Sequence, residues 1–139
     1  MVYTFKLRQG VKFHNGEEMK ADDVVASMNR WLELSAKANT LIGGSVFEEV
    51  DDYTVKMTAN QASSDIIMIL ASPIQFAAIY PKEVVESASE EGITEYIGTG
   101  PYKLAEWKQD QYVKLERYED YQPSPNASTG LADAKDVVS

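Results

Sequence analysis

The stretch Gly98-Thr99-Gly100-Pro101-Tyr102 separates two kinds of sequence: helical and mixed segments precede it, and two strand-like segments follow it. Two glycines one residue apart widen the accessible range of φ, whereas Pro101 fixes its own φ and lacks an N–H donor. Gly100 precedes a proline and is therefore driven from helical toward extended angles. We predict a tight structural turn at Gly98, Gly100 and Pro101 that leads into a strand at Tyr102. A β-branched residue at position 100 would cost about 1–3 kcal/mol of stability if the φ there is positive.

The same glycines also resemble the start of the nucleotide-binding motif G-x-G-x-x-G. Lys103 stands where the third glycine should be, and a strand follows the turn instead of the helix that a phosphate loop requires. A phosphate-binding role for this turn is therefore rejected, and no cofactor is expected.

Composition limits the class of protein. A chain of 139 residues suits one domain, and 44% hydrophobic with 25% charged residues is typical of a soluble globular protein. The 22 acidic residues against 13 Lys and Arg give a net charge of −9, which disfavours nonspecific contact with nucleic acid or an anionic membrane. No cysteine is present, so disulfides and thiolate catalysis are excluded. No apolar run approaches the roughly 20 residues of a membrane span.

Residue patterns predict the elements that precede the turn. Alternating apolar residues indicate a strand at 2–7, and Asn15-Gly16 indicates a tight turn. A helix should begin near Ala21, with Asp22 and Asp23 at the positive end of its dipole. Its apolar stripe comprises Val24, Val25, Met28, Trp31, Leu32 and Ser35. Three further elements are predicted: a hairpin of residues 46–50 and 53–58, and two helices. The first helix covers 66–71 and is capped from Ser63, Ser64 or Asp65. The second covers 82–89, follows Pro81 and ends at Gly92.

The last two strands are predicted at 102–108 and 111–118, with a turn at Gln109-Asp110. From Gln122 onward Pro, Ser, Asn, Thr and Gly dominate, which indicates a loop. We therefore expect one α+β unit over residues 1–121 and a connecting segment over 122–139. The predicted fold is a small, mostly antiparallel sheet of hairpins packed with three or four short helices.

Catalytic and metal-binding patterns have little support in the sequence. His14 is the only histidine, so a two-histidine metal site is impossible and a Ser-His-Asp triad would depend on this one turn residue. The acidic group Glu48, Glu49, Asp51 and Asp52 lacks the alternating oxygen spacing of a calcium loop. Because 22 acids always provide some pair of carboxylates, a pair of the glycosidase type is not singled out either.

Several separated blocks, in one order, resemble the peptide- and nickel-binding solute receptors of ABC importers. The first block is YTFKLRQGVKFHNG at residues 3–16, and ADDV at 21–24 opens the helix that follows. IYPK at 79–82, GTGPYKL at 98–104, and LER at 115–117 followed by Tyr121 match further blocks. The chain departs from the family pattern at Lys20, where members usually have a capping Ser or Thr, and at Tyr118 and Gln122, where they commonly have Asn and Trp.

The resemblance implies a fragment of a much longer, two-lobed receptor of the type II periplasmic-binding-protein fold. This chain would form the smaller subdomain of the first lobe. The parent would capture a peptide or similar small solute at the periplasmic or extracellular face and deliver it to a membrane ABC permease. The chain itself would perform no chemistry, and Thr99, Tyr102 and Trp107 are the candidates for residues that face the ligand cleft.

Two alternatives from other classes remain open. The domain is an isolated protein-interaction module if it exposes a large apolar patch. It is a carboxylate-based hydrolase if it holds a coupled acidic pair in which one pKa is raised.

Overall fold

Nine helices and strands follow one another in the computed structural model, which describes residues 1–60, 65–72, 74, 76–89 and 92–125. Within that part the chain is an α+β protein, as the sequence predicts, but its strands form two antiparallel sheets and not one. The elements are β1 Val2–Lys6, α1 Ala21–Leu34, α2 Ala36–Ile42, β2 Val46–Asp51, β3 Thr54–Thr58, α3 Ile66–Leu70, α4 Lys82–Glu86, β4 Tyr102–Lys108 and β5 Tyr112–Arg117.

The first sheet has three strands in the order β1-β3-β2, and both pairings are antiparallel. Strand β3 lies in the centre, where Val55 and Met57 are fully buried. At the edge strand β2, the side chain of Asn29 in α1 makes two hydrogen bonds to Phe47. Its amide nitrogen donates to the Phe47 carbonyl and its oxygen accepts from the Phe47 N–H, both at 3.0 Å. The predicted first strand and the predicted hairpin are confirmed.

Helix α1 covers this sheet with the apolar stripe that the sequence predicts. Val24, Met28 and Leu32 are buried at helical spacing and belong to one core cluster with Phe47 and Met57. These residues form one stripe because residues three and four apart share a helix face. Every member of this cluster comes from residues 21–69, so the main core contains no residue of β4 or β5.

Helix α2 is absent from the elements that the residue patterns predict. The helix begins after Ser35, whose hydroxyl accepts a hydrogen bond from the Ala38 N–H at 3.2 Å. Its sequence, AKANTLI, contains too few apolar residues to show a periodic pattern. Ser35, which the periodicity placed at the end of the α1 stripe, is buried as the cap between the two helices.

A buried carboxylate, Asp23, holds the start of α1, where Lys20 makes no side-chain cap hydrogen bond. One carboxylate oxygen accepts from the Lys20 N–H and the other from the Lys82 N–H, each at 2.8 Å. Asp23 therefore fixes the start of α1 and ties it to the first turn of α4. Burial raises the pKa of the Asp23 carboxyl above its ordinary value, although the two backbone hydrogen bonds oppose this shift.

The two helices between the sheets are confirmed with shorter bounds. Residues 66–70 form a helix, as predicted; Ser63 and Ser64, two of its predicted caps, lie outside the described residues. Helix α4 ends at Glu86, so the prediction that Gly92 terminates it is wrong. Gly92 lies beyond the end of this helix, with a φ of 109°, and its N–H donates to the Ser89 carbonyl at 3.0 Å.

Strands β4 and β5 form a second sheet of their own, and not a continuation of the first sheet. The hairpin matches the predicted strands, and Asp110 in its turn has a φ of 58°. The proposed boundary at residue 121 stays a prediction, because 126–139 lie outside the described residues.

The Asp23 tie predicts a specific pattern of stability. Asp23→Asn should lower the free energy of unfolding by about 1–2 kcal/mol, since the amide nitrogen must face one of two backbone donors. The neighbouring Asp22→Asn, which removes a half-exposed carboxylate 3.9 Å from the Lys82 ammonium, is the matched control and should cost less than about 0.5 kcal/mol. Urea unfolding of the three proteins measures both effects.

The raised pKa of Asp23 fixes the sign of the pH dependence. Just above the ordinary carboxyl pKa, the folded chain retains a proton on Asp23 that the unfolded chain has lost. The advantage of wild type over Asp23→Asn should therefore be largest at acidic pH and shrink as pH rises through the folded-state pKa. An advantage that grows over this interval would contradict the stated cause.

Candidate functional site

The imidazole of His14 connects the segment between β1 and α1 to the turn that precedes β4. Its Nδ1 accepts from the Gly98 N–H at 3.2 Å, and its Nε2 lies 3.0 Å from the Gly100 carbonyl oxygen. Since Nδ1 accepts, Nε2 carries the proton and donates it to that carbonyl. The His14 backbone N–H also donates to the Gly98 carbonyl at 2.9 Å. One side chain thus binds two backbone groups of the glycine-containing turn.

Tyr118 closes the other side of this joint. Its hydroxyl donates to the Phe13 carbonyl at 2.7 Å, and its N–H donates to the Pro101 carbonyl at 2.8 Å. Its ring meets the His14 ring edge-on, with 5.1 Å between centroids. Burial, with a smaller contribution from the charge of Asp120, raises the pKa of the Tyr118 hydroxyl.

The turn at Gly98–Pro101 does not depend on glycine in the way that the sequence suggested. Gly100 does not have a left-handed φ, and no atom lies within 4 Å of the position that a Cβ would take there. The condition for a large cost of a β-branched residue is therefore not met. Gly98 also lies outside the left-handed range, and a Cβ there would lie 3.8 Å from the His14 Cε1.

An open apolar cleft of about 430 Å³ lies between the second sheet and the preceding chain. Of the three candidate ligand residues, Tyr102 and Trp107 line it and Thr99 does not. Trp107 packs edge-on against Tyr96, with 5.6 Å between ring centroids. The described lining residues are His14, Ala78, Ile79, Tyr80, Tyr96, Ile97, Gly98, Tyr102, Leu104, Trp107, Val113 and Leu115.

A β-bulge gives the hairpin its apolar face. Leu104 pairs with Leu115 and Trp107 pairs with Val113, and the register shifts between them around Ala105. Because side chains alternate along a strand, Trp107 would otherwise lie on the face opposite Leu104. The extra residue places the four apolar side chains on one face.

The other face of the hairpin is charged. The cross-strand pairs there are Lys103 with Glu116 and Glu106 with Lys114, which combine opposite charges, and Tyr112 lies beside them. The hydrogen bond from the Tyr112 hydroxyl to Glu106 raises the pKa of that hydroxyl. The hairpin is therefore amphipathic.

The cleft offers little chemistry. None of the described residues that line it is Asp, Glu, Lys or Arg, and both ring nitrogens of His14 are already bonded. No group of three His, Cys, Asp or Glu side chains among the described residues is arranged to hold a metal ion. Burial raises the pKa of the Asp23 carboxyl, but both of its oxygens accept hydrogen bonds from backbone N–H groups.

Comparison with known proteins gives the family. Residues 1–134 match the family described as bacterial extracellular solute-binding proteins, family 5 Middle. The chain belongs to this family. The glutathione-binding protein GsiB of Escherichia coli K12 is 36% identical over 127 residues, which is 87% of this chain and 24% of GsiB. No helix in the described part of the chain is long and apolar enough to cross a membrane.

Solved structures of similar proteins share the fold. NikA of Brucella suis, in complex with Fe(III)-EDTA, superposes with a TM-score of 0.74 at 31% identity over 88% of this chain and 25% of its own. The oligopeptide-binding protein AppA of Bacillus subtilis, with a nonapeptide, gives a TM-score of 0.69 at 32% identity over 86% of this chain and 25% of its own. The chain therefore spans about a quarter of the length of these relatives.

Residue patterns alone gave no reason to choose His14, since a single histidine excludes a two-histidine metal site and no pattern singles it out for a catalytic triad. Its partners lie 84 and 86 residues away, beyond the reach of any local spacing rule. The available signal was its position in the block VKFHNG, one of several blocks that recur with GTGPY in the resemblance.

The glycine geometry allows a matched comparison. Gly16 and Gly100 both have open space at the Cβ position, but only Gly16 has a left-handed φ, of 92°. Gly16→Ala should therefore lower stability by about 1 kcal/mol, whereas Gly100→Ala should change it by less than about 0.5 kcal/mol. Thermal or urea unfolding decides, and equal losses at the two positions would show that φ is not the cause.

Loss of the His14 ring should loosen the joint selectively. His14→Ala leaves the Gly98 N–H and the Gly100 carbonyl without their partner, at a cost of about 2–3 kcal/mol. Amide hydrogen exchange should accelerate at Gly98 and Tyr118 before it does at Val55 in the central strand. Lys12→Ala, at an exposed position two residues away, serves as the control. Uniform acceleration over the chain would show that His14 supports the whole fold and not the joint alone.

Proposed function

We propose that this chain is a subdomain of an ABC-importer solute receptor, which captures a peptide or similar small solute outside the cytoplasm and delivers it to a membrane permease. The observation that carries the proposal is the family match over residues 1–134. The share of the relatives that this chain covers, about a quarter, supports a role as one part of a two-lobed protein. The permease and the remaining lobes are the proposed partners.

Within that receptor we assign the chain a supporting role. The similar structures hold different solutes: AgaA of A. tumefaciens R10 is in complex with agropinic acid, AppA with a nonapeptide and NikA with Fe(III)-EDTA. Their TM-scores with this chain nevertheless lie close together, at 0.71, 0.69 and 0.74. A fold that receptors of different solutes share supports a role in holding the receptor together.

The geometry of the cleft supports the same conclusion. Recognition of a peptide or another charged solute requires placed polar or charged groups, and the described lining offers tyrosines and an already bonded histidine. Tyr102 and Trp107 face this apolar cleft, while Thr99 stays on the turn outside its lining. No catalytic step is proposed for any of these residues.

Binding measurements on the 139-residue chain test the proposal. Closure around a solute requires two lobes, so peptide mixtures should give no saturable heat tighter than roughly millimolar in isothermal calorimetry. The intact receptor that contains this chain should bind its solute far more tightly. A micromolar dissociation constant measured for the 139-residue chain would contradict the supporting role.

A further inference from the structure

We propose that a groove beside α1 is a binding site for a small carboxylic acid that carries an aromatic or branched aliphatic group. We name it the Arg30 groove, and its principal lining residues are Arg30, Trp31, Leu34, Phe76, Tyr80 and Val85. The inference goes beyond the proposed function, because this site lies within the chain itself and requires no second lobe.

Two walls define the Arg30 groove, and hydrogen bonds join them. Helix α1 supplies one wall through residues spaced three or four apart, which share a helix face: Ser27, Arg30, Trp31 and Leu34. The chain that precedes α4 supplies the other wall through Phe76 and Tyr80. The Ser27 hydroxyl donates to the Tyr80 carbonyl at 3.2 Å and accepts from the Tyr80 N–H at 2.9 Å. The groove has a volume of about 390 Å³, which lies within the range of small-molecule sites.

The guanidinium of Arg30 takes part in none of the ion pairs between residues that the structure describes. The other two arginines of the chain have partners. Arg8 donates to the Gln122 carbonyl at 3.0 Å, and the Arg117 guanidinium lies 3.9 Å from the Glu119 carboxylate. Arg30 is also partly buried, and a charge that is withdrawn from water without a partner is costly. In a chain with 22 acidic residues, such an arginine in a groove indicates a site for an anion.

The lining of the groove selects the class of anion. A guanidinium presents parallel N–H donors that match the two oxygens of a carboxylate. Arg30 is the single charged residue among the described lining residues, so it balances one carboxylate, whereas a phosphate dianion would leave excess negative charge in apolar surroundings. Leu34 and Phe76 retain 67% and 68% of their accessible surface, which gives a ligand apolar area to cover. A carboxylate with an apolar body satisfies both parts of the lining.

An NMR titration of the 139-residue chain with N-acetylphenylalanine at neutral pH tests the inference. The chain has two tryptophans, so its two indole N–H signals report on Trp31 in the groove and on Trp107 in the hairpin. The variant Trp31→Phe assigns the signals. The Trp31 signal should shift with a dissociation constant of about 1 mM, because a small ligand gains limited free energy from an open groove. The Trp107 signal is the internal control and should shift far less.

Two matched comparisons isolate the contribution of the charge. N-acetylphenylalaninamide, which lacks the carboxylate, should bind the wild-type chain about tenfold more weakly or worse. Arg30→Gln should weaken binding of the acid by a similar factor, whereas Arg117→Gln removes the same charge from the hairpin and should leave the affinity unchanged.

The comparison of acid with amide uses the wild-type chain, so it decides the question even if Arg30→Gln does not fold. Equal binding of acid and amide would overturn the inference, because it would show that the guanidinium does not hold the ligand. Equal affinities of the two folded glutamine variants for the acid would overturn it too. So would the absence of a Trp31 shift at about ten times the expected dissociation constant.

Discussion

The joint formed by His14 and Tyr118 holds the second sheet of this protein to the rest of the described chain. His14 connects a turn near the start of the sequence to backbone atoms of Gly98 and Gly100. Because it uses one ring nitrogen as acceptor and the other as donor, a single tautomer satisfies both ends. A lysine or an arginine could not replace it, since neither offers an acceptor. The arrangement is economical, but it leaves the orientation of the hairpin dependent on a few polar contacts.

Other distant contacts in this fold also depend on polar side chains that bind backbone groups. Asp23 holds the first turns of α1 and α4, and Asn29 clasps the edge strand at Phe47. Such bonds require the polar side chain to lose water on burial, and the raised pKa of Asp23 reflects that cost. They also fix the position of an element in a way that nondirectional apolar packing does not. In a chain without cysteine, these contacts set the angles between elements that the apolar core alone would leave loosely defined.

Much of this fold was predictable because most elements carry a local pattern. Alternation gave the strands, helical spacing gave α1, and the proline at 81 gave α4. Helix α2 was missed because a capping serine and seven mostly polar or small residues leave no apolar stripe. The end of α4 was predicted wrongly because a glycine such as Gly92 indicates a break in regular structure but does not show how far before it the helix ends. The candidate site was harder to predict than the fold. The sequence indicated the turn, but its partner His14 lies more than 80 residues away along the chain. The sequence also does not show whether a glycine adopts a positive φ.

The hairpin connects these observations to the function that we propose. Tyr102 and Trp107 share one apolar surface only because the register shift at Ala105 restores the alternation between them. A surface of this kind would be a liability on a protein that acts alone, since exposed apolar strands invite association. It is an advantage in one part of a longer polypeptide, where covering it contributes the hydrophobic free energy that the main core does not supply to this sheet. The GTGPY turn stands between the two packing systems, and its contacts with His14 and Tyr118 fix the hairpin relative to the loop that precedes α1. The turn is thus best understood as a structural joint between the two packing systems of this chain.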